Sequence, residues 1–178
     1  MGSESEAAGL PAEVAALIGV PQYEQTANFD VERSYAYNTC AATQNGNPIF
    51  WDDAVAEELT GGLIMPLTTL SLWMRPHYWE PGAAGEQVAL KAHFDLKEMF
   101  GLPEAVMTDD TLVFHEPVRI GDRISCRQVL RSVSPPKTTK LGTGRFWVID
   151  VEYTNQRGEL VGVETITGFG YRRAGEAA

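Results

Sequence analysis

From Asp109 onward, apolar residues recur at every second position, and this period restricts the possible folds more than any other feature of the chain. Between Asp122 and Val133, Ile124, Cys126 and Leu130 alternate with Arg123, Ser125, Arg127 and Arg131. Between Gly144 and Thr154, Trp147, Ile149, Val151 and Tyr153 alternate with Asp150 and Glu152. Successive side chains of a strand point to opposite faces, so these runs predict antiparallel strands with one half-exposed face. Asn155-Gln-Arg-Gly158 supplies a turn, and Glu159 to Tyr171 returns as a long strand rich in Val and Thr.

The first half has the helical period instead. Leu10 to Gly19 predicts a short helix, with Pro11 near its start and Gly19 as a stop. Asp30 is placed to cap a second helix running to about Thr43, and Asp52 or Asp53 a third that ends before Gly61-Gly62. The most apolar helix spans about Pro66 to Met74. Leu63, Leu67, Leu70 and Met74 follow helical spacing, and Ile64 and Trp73 widen the stripe, so burial nearly all round is expected. A long connection from Arg75 to Thr108 carries Tyr78, Trp79, His93, Phe94 and Phe100, with a short helix expected near Leu96 to Phe100. A buried helix followed by long antiparallel strands is an α+β arrangement, a sheet wrapped on a helix.

The chain of 178 residues fits a single domain, expected over residues 10–173 with flexible ends at 1–9 and 174–178. A net charge of −10 argues against nucleic acid or an anionic membrane surface as the main partner. No apolar run is long enough to span a bilayer, and the first nine residues lack the basic and apolar regions of a signal peptide. Cys40 and Cys126 lack metal-ligand spacing and read as buried thiols of a reducing compartment. The expectation is a soluble cytoplasmic protein with no metal and no cofactor.

Asn45-Gly-Asn-Pro-Ile-Phe50 resembles the hydration motif of MaoC-like (R)-specific enoyl-CoA hydratases, Asp-x-Asn-Pro-(Ile/Leu/Val)-His. The centre, Asn47-Pro48-Ile49, is intact, but Asn45 stands at the Asp position and Phe50 at the His position. Neither an amide nor a phenyl ring takes a proton near neutral pH, so general-base work at these two positions is excluded. Three further stretches follow in the order of the same family: Gly61-Gly62-Leu63-Ile64, Glu116-Pro117-Val118-Arg119-Ile120-Gly121-Asp122, and Tyr153-Thr154-Asn155-Gln156-Arg157-Gly158-Glu159-Leu160-Val161. Together they resemble the N-terminal type of MaoC-like dehydratase over about Phe29 to Arg172.

The resemblance implies a hot-dog fold, a long helix wrapped by a curved antiparallel sheet, with sheets paired into a dimer and a thioester bound at the interface. Active members also place a Gly at the start of the buried helix, whose N–H binds the thioester oxygen. Here Met65-Pro66-Leu67 occupies that stretch, and proline has no N–H to donate. Such replacements are similar to the non-catalytic halves of two-part dehydratases in this family. The resemblance therefore implies a silent subunit that forms an acyl channel and works with a catalytic MaoC-like partner carrying the intact Asp and His. Its ligand would be an acyl-CoA or acyl-carrier thioester.

Candidate channel residues are Phe50, Trp51, Leu67, Leu70, Trp73, Met74, Tyr78 and Trp79, whose aromatic bulk suits a large, even steroid-like, acyl group. His77, paired with Asp52 or Asp53, is the candidate for a relocated base in a self-sufficient homodimeric hydratase. A thioester-binding scaffold without chemistry is the third alternative. His115 reads as structural, and His93 has no carboxylate at a spacing that fixes its tautomer. Lys137, Lys140 and Arg145, between two strands, are candidates for CoA phosphates, although a solvated hairpin loop is the favoured reading of them.

Overall fold

The alternating segments pair as an antiparallel sheet. The computed structural model describes residues 9–75, 81–82 and 89–175, so the tails 1–8 and 176–178 lie outside the described residues. Chain order runs from α1 (Ala12–Ala15) and β1 (Pro21–Thr26) to α2 (Arg33–Ala42), a 3₁₀ turn (Pro48–Phe50) and α3 (Asp53–Thr60). A 3₁₀ helix (Leu67–Met74) and α4 (Lys91–Met99) precede β2 (Glu104–Phe114), β3 (Ser125–Val133), β4 (Lys137–Thr138), β5 (Thr143–Thr154) and β6 (Leu160–Arg172). The six-stranded sheet has the order β1-β3-β5-β6-β2, with the short β4 pairing on β5. This is the α+β hot-dog arrangement implied by the motifs.

The inner face of the sheet is set by register. Val151 stands opposite Glu164, Ile149 opposite Ile166 and Trp147 opposite Gly168, so these residues share one face. Trp147 and Ile149 are fully buried there. Gly168 is a packing requirement, since a Cβ at this position would lie 2.6 Å from Nδ1 of His93. Its missing side chain lets α4 press His93 onto the sheet.

The layer beneath the sheet departs from one long helix. The segment from Pro66 forms a 3₁₀ helix instead of an α-helix, with Pro66 as its N-cap. The Thr69 hydroxyl donates to the Pro66 carbonyl at 2.7 Å, a local bond that competes with the α-helical pattern. Arg75 ends the helix at φ −66°, ψ 125°, extended as expected for a residue that precedes proline, here Pro76. Among the described residues, helical structure resumes at Lys91, so the expected short helix starts earlier than Leu96 and carries His93, Ala92 and Leu96 into the core. Two short helical pieces thus stand in place of one.

Other boundaries also move. The first helix covers only Ala12–Ala15, and β1, which the sequence did not predict, follows it. Asp30 does not cap α2: the N-cap is Glu32 without a side-chain bond, and Asp30 pairs with Arg123 at 2.7 Å. The third helix matches its expectation, capped by the Asp52 side chain and closed by Gly61 at φ 65°. No described helix is long and apolar enough to cross a membrane.

Candidate functional site

The Asn45–Phe50 loop satisfies its own polar groups. Oδ1 of Asn45 accepts the Asn47 N–H at 3.1 Å, and Oδ1 of Asn47 accepts the Ile49 N–H at 3.1 Å. These are Asx turns, and the second caps the 3₁₀ turn. The indole N–H of Trp51 donates to the Asn45 carbonyl at 2.8 Å, and its ring stacks on Tyr37 with centroids 5.1 Å apart. Phe50 is buried. The two neighbouring carboxylates are also engaged, because Asp52 accepts from the N–H groups of Ala54 and Val55 while Asp53 pairs with Arg33 at 2.7 Å. The backbone shape of the motif survives without a proton acceptor at positions 45 and 50.

At Pro66 only a carbonyl is offered, and it accepts from both the backbone N–H and the hydroxyl of Thr69. The other channel candidates separate. Leu70 and Trp73 are 3% and 1% exposed and belong to the core, where Trp73 packs edge-on against Tyr35. Leu67 and Trp51 lie open at the surface. Met74 faces a cavity, described below. His77, Tyr78 and Trp79 lie outside the described residues.

The proposed phosphate cations sit on the β4–β5 hairpin. The Arg145 guanidinium is spent on the carbonyls of Ser134 and Gly9 and lies over Phe100. Lys137 lies over the Phe146 ring, 5.9 Å from its centroid, and Lys140 is exposed. Among the described residues, no group of His, Cys, Asp and Glu is arranged to hold a metal ion.

A cavity of about 220 Å³ opens between the end of the 3₁₀ helix and the start of α4. Ser71, Met74 and Arg75 border it on one side and Ala89 and Leu90 on the other. The sheet contributes Gln25 from β1, Met107 and Asp110 from β2, Cys126 from β3, Val151 and Tyr153 from β5, and Glu164 and Ile166 from β6. The Tyr153 hydroxyl donates to Glu164 at 2.6 Å. Burial, reinforced by Glu164, holds the Tyr153 hydroxyl far above the usual tyrosine range. The same two causes push the Cys126 thiol up to about 11. Both groups stay protonated at neutral pH, so neither serves there as a nucleophile or base. The cavity lies near the opposite end of β5 from the cationic hairpin, about 30 Å away along the strand at ~3.3 Å per residue.

Sequence reasoning missed two carboxylates beside the cavity, the exposed Asp110 and the half-buried Glu164. The signal for Glu164 was present, because it shares its strand face with Ile166 and therefore interrupts an apolar row. Reasoning also missed the partner of His93. On α4 the ring is 3% exposed, and its Nδ1 accepts from the Trp147 indole N–H at 3.1 Å, leaving the ring proton on Nε2. Burial, then the nearby Lys97, lowers its pKa below the ordinary 6.5.

The three further stretches that carry the family resemblance prove to be architecture. Asp122, 2% exposed, accepts from the Arg119 N–H, the Gln156 amide and the Arg157 guanidinium. Arg119 in turn donates to the carbonyls of Thr60, Gly61 and Gly62 at the end of α3. The turn before β3, the β5–β6 turn and the Gly61-Gly62 segment are thus clamped together.

Comparison with known proteins places this architecture. The chain is 34% identical over 127 residues to a probable enoyl-CoA hydratase alpha subunit of Thermomonospora curvata, covering 66% of this chain and 38% of that protein. It therefore spans well under half the length of that relative. Among solved structures, the ChsH1–ChsH2 complex of Mycobacterium tuberculosis matches with a TM-score of 0.73 at 23% identity, over 93% of this chain and 90% of that one. A MaoC-like dehydratase from Rhodospirillum rubrum matches with 0.59 at 20% identity, over 93% and 99%. The HadBC (3R-hydroxyacyl-ACP dehydratase) complex of Mycobacterium tuberculosis matches with 0.53 at 23% identity, over 83% and 95%. The family described as FAS1-like, dehydratase domain region, matches residues 16–163, and the chain belongs to this MaoC-like hydratase and dehydratase family.

Proposed function

We propose that this chain is the non-catalytic, channel-forming subunit of a heteromeric (R)-specific enoyl-CoA hydratase or 3-hydroxyacyl dehydratase. The reading is carried by the Asn45–Phe50 loop, which keeps the turn of the hydration motif while both proton-handling positions hold groups unable to act as bases. Pro66 removes the N–H that would bind the thioester oxygen. The reaction is the reversible syn addition of water across a trans-2-enoyl thioester of CoA or a carrier protein. A catalytic MaoC-like partner supplies the Asp, the His and the oxyanion donor, and this chain supplies a wall and an acyl channel.

Two features support the assembly and the channel. β2 is an eleven-residue edge strand with Met107, Leu112, Val113 and Phe114 exposed, the kind of apolar sheet edge that a partner strand covers. The cavity of about 220 Å³ beside Met74 favours a site for part of an acyl chain, and the extension to a bulky, steroid-like group is carried by the size of the candidate side chains. The relative named an alpha subunit, and the two-component ChsH1–ChsH2 and HadBC complexes, favour a heteromer. We place the complex in the cytoplasm, consistent with two buried free cysteines.

The test is expression of the chain alone and together with a MaoC-like subunit whose Asp and His are intact, following loss of enoyl absorbance. Activity only in the pair, abolished by mutation of the partner's His, is the expected result. Turnover by the isolated chain would overturn the proposal and direct attention to His77.

A further inference from the structure

We infer that Gln128, a buried amide on β3, positions the first turn of α4 and thereby sets the length of acyl chain that the cavity accepts. This rests on the thioester-binding reading above and deepens it by naming a residue that determines specificity.

Gln128 interrupts an apolar row. It stands on the inner face of β3 between Cys126 and Leu130 and is 1% exposed. A buried amide is costly unless its acceptor and its donor end both find partners. Here Oε1 accepts the Ala92 N–H at 3.0 Å, and Nε2 donates to the Ala89 carbonyl at 3.4 Å. The helix has no side-chain cap of its own, because Leu90 occupies its N-cap position. Gln128 therefore satisfies a first-turn N–H of α4 from a neighbouring strand, the task that a capping side chain performs elsewhere.

The two bonds straddle Leu90. Ala89 and Leu90 form one wall of the cavity, and Val151, the register partner of Gln128 on β5, belongs to its sheet side. The reach of the Gln128 side chain thus fixes how far that wall stands from the sheet. Gln128 does not itself border the cavity, so it acts through α4 as a positioning residue. The rest of the helix is held independently. Nδ1 of His93 accepts from Trp147, while Asp95 accepts from the Tyr23 hydroxyl and pairs with Lys91. Loss of the Gln128 bonds therefore releases the first turn without releasing the helix.

The experiment titrates the full chain with saturated acyl-CoA thioesters from butanoyl to dodecanoyl by calorimetry. Affinity is expected to rise with length while methylenes are being buried, then to fall about tenfold once the chain meets the α4 wall. Gln128→Met keeps the side-chain length but offers neither bond, so the wall yields and the fall shrinks to less than about threefold. Gln128→Asn keeps the amide on a stem shorter by one C–C bond, about 1.5 Å, so the wall moves toward the sheet and the optimum moves to a shorter chain. Amide exchange at Ala92 should quicken in Gln128→Met and stay slow in Gln128→Asn. Should Gln128→Met fail to fold, judged by circular dichroism, Gln128→Asn carries the test alone.

An optimum that stays in place in Gln128→Asn, or equal weakening of every length in either folded variant, would mean a purely structural role and overturn the inference. A wild-type chain without a length limit, or without binding to any of the thioesters, would overturn it too. Activity of the co-expressed pair decides the subunit proposal separately.

Discussion

At the residue scale, Asp122 shows how a family-like motif can be structural. A 2% exposed carboxylate held by a backbone N–H, an amide and a guanidinium has no route to water when its partners are lost. Asp122→Ala is expected to cost about 3 kcal/mol, since it strands several donors and frees the turn before β3. Arg157→Met, at a site 45% exposed on the cation side, should cost distinctly less than Asp122→Ala. Urea unfolding of the two variants measures both. His93 carries a pH prediction. Its pKa is lowered in the folded state, so below 6.5 the unfolded chain binds a proton that the folded chain does not. Its contribution to stability is therefore complete above about 6.5 and declines as pH falls from there toward the depressed folded value. His93→Gln, which keeps an acceptor for Trp147, should flatten that part of the stability-pH curve.

At the element scale, local chemistry decides where helices stop and tertiary packing decides what kind they are. α3 follows its caps: Asp52 accepts from two backbone N–H groups at its start, and Gly61 closes it in the left-handed region. Asp52→Ala should lower stability by about 1 kcal/mol, read as a shift of the urea midpoint without a change in slope. The segment after Pro66 behaves differently. Its apolar stripe predicts burial correctly for Leu70 and Trp73 but does not distinguish α from 3₁₀ geometry, because both bring residues three positions apart near each other. The stop at Arg75 is written in Pro76, whereas the second helical piece at Lys91 was placed only in part, near Leu96.

At the scale of the whole molecule, an antiparallel sheet with a long apolar edge is incomplete. β2 pairs with β6 on one side through ten registered positions and exposes Val113 at 48% and Met107 at 51%. Val113→Lys is expected to abolish co-purification with the proposed MaoC-like partner while leaving the far-ultraviolet circular dichroism of the isolated chain unchanged. Charge at a strand edge opposes pairing and is tolerated by a position already facing water. Retained co-purification would move the interface elsewhere.

Strand periodicity, the cap of α3, the turn at Asn155–Gly158 and the lack of a proton acceptor at Asn45 and Phe50 all followed from residue identity, because each depends on neighbours within a few positions or on side-chain chemistry alone. Strand β1 could not be read that way: Pro21–Thr26 has no strong alternation and acquires its conformation by pairing with β3. The same holds for the cavity. Asp110, Tyr153 and Glu164 are brought together by register across β2, β5 and β6, and Met74 and Leu90 by the way two helical pieces end against the sheet. Contacts between residues far apart in the chain depend on packing, and no local pattern encodes their meeting. The sequence alone was enough to show that positions 45 and 50 hold no proton acceptor, and the fold was needed to show which residues meet around the cavity.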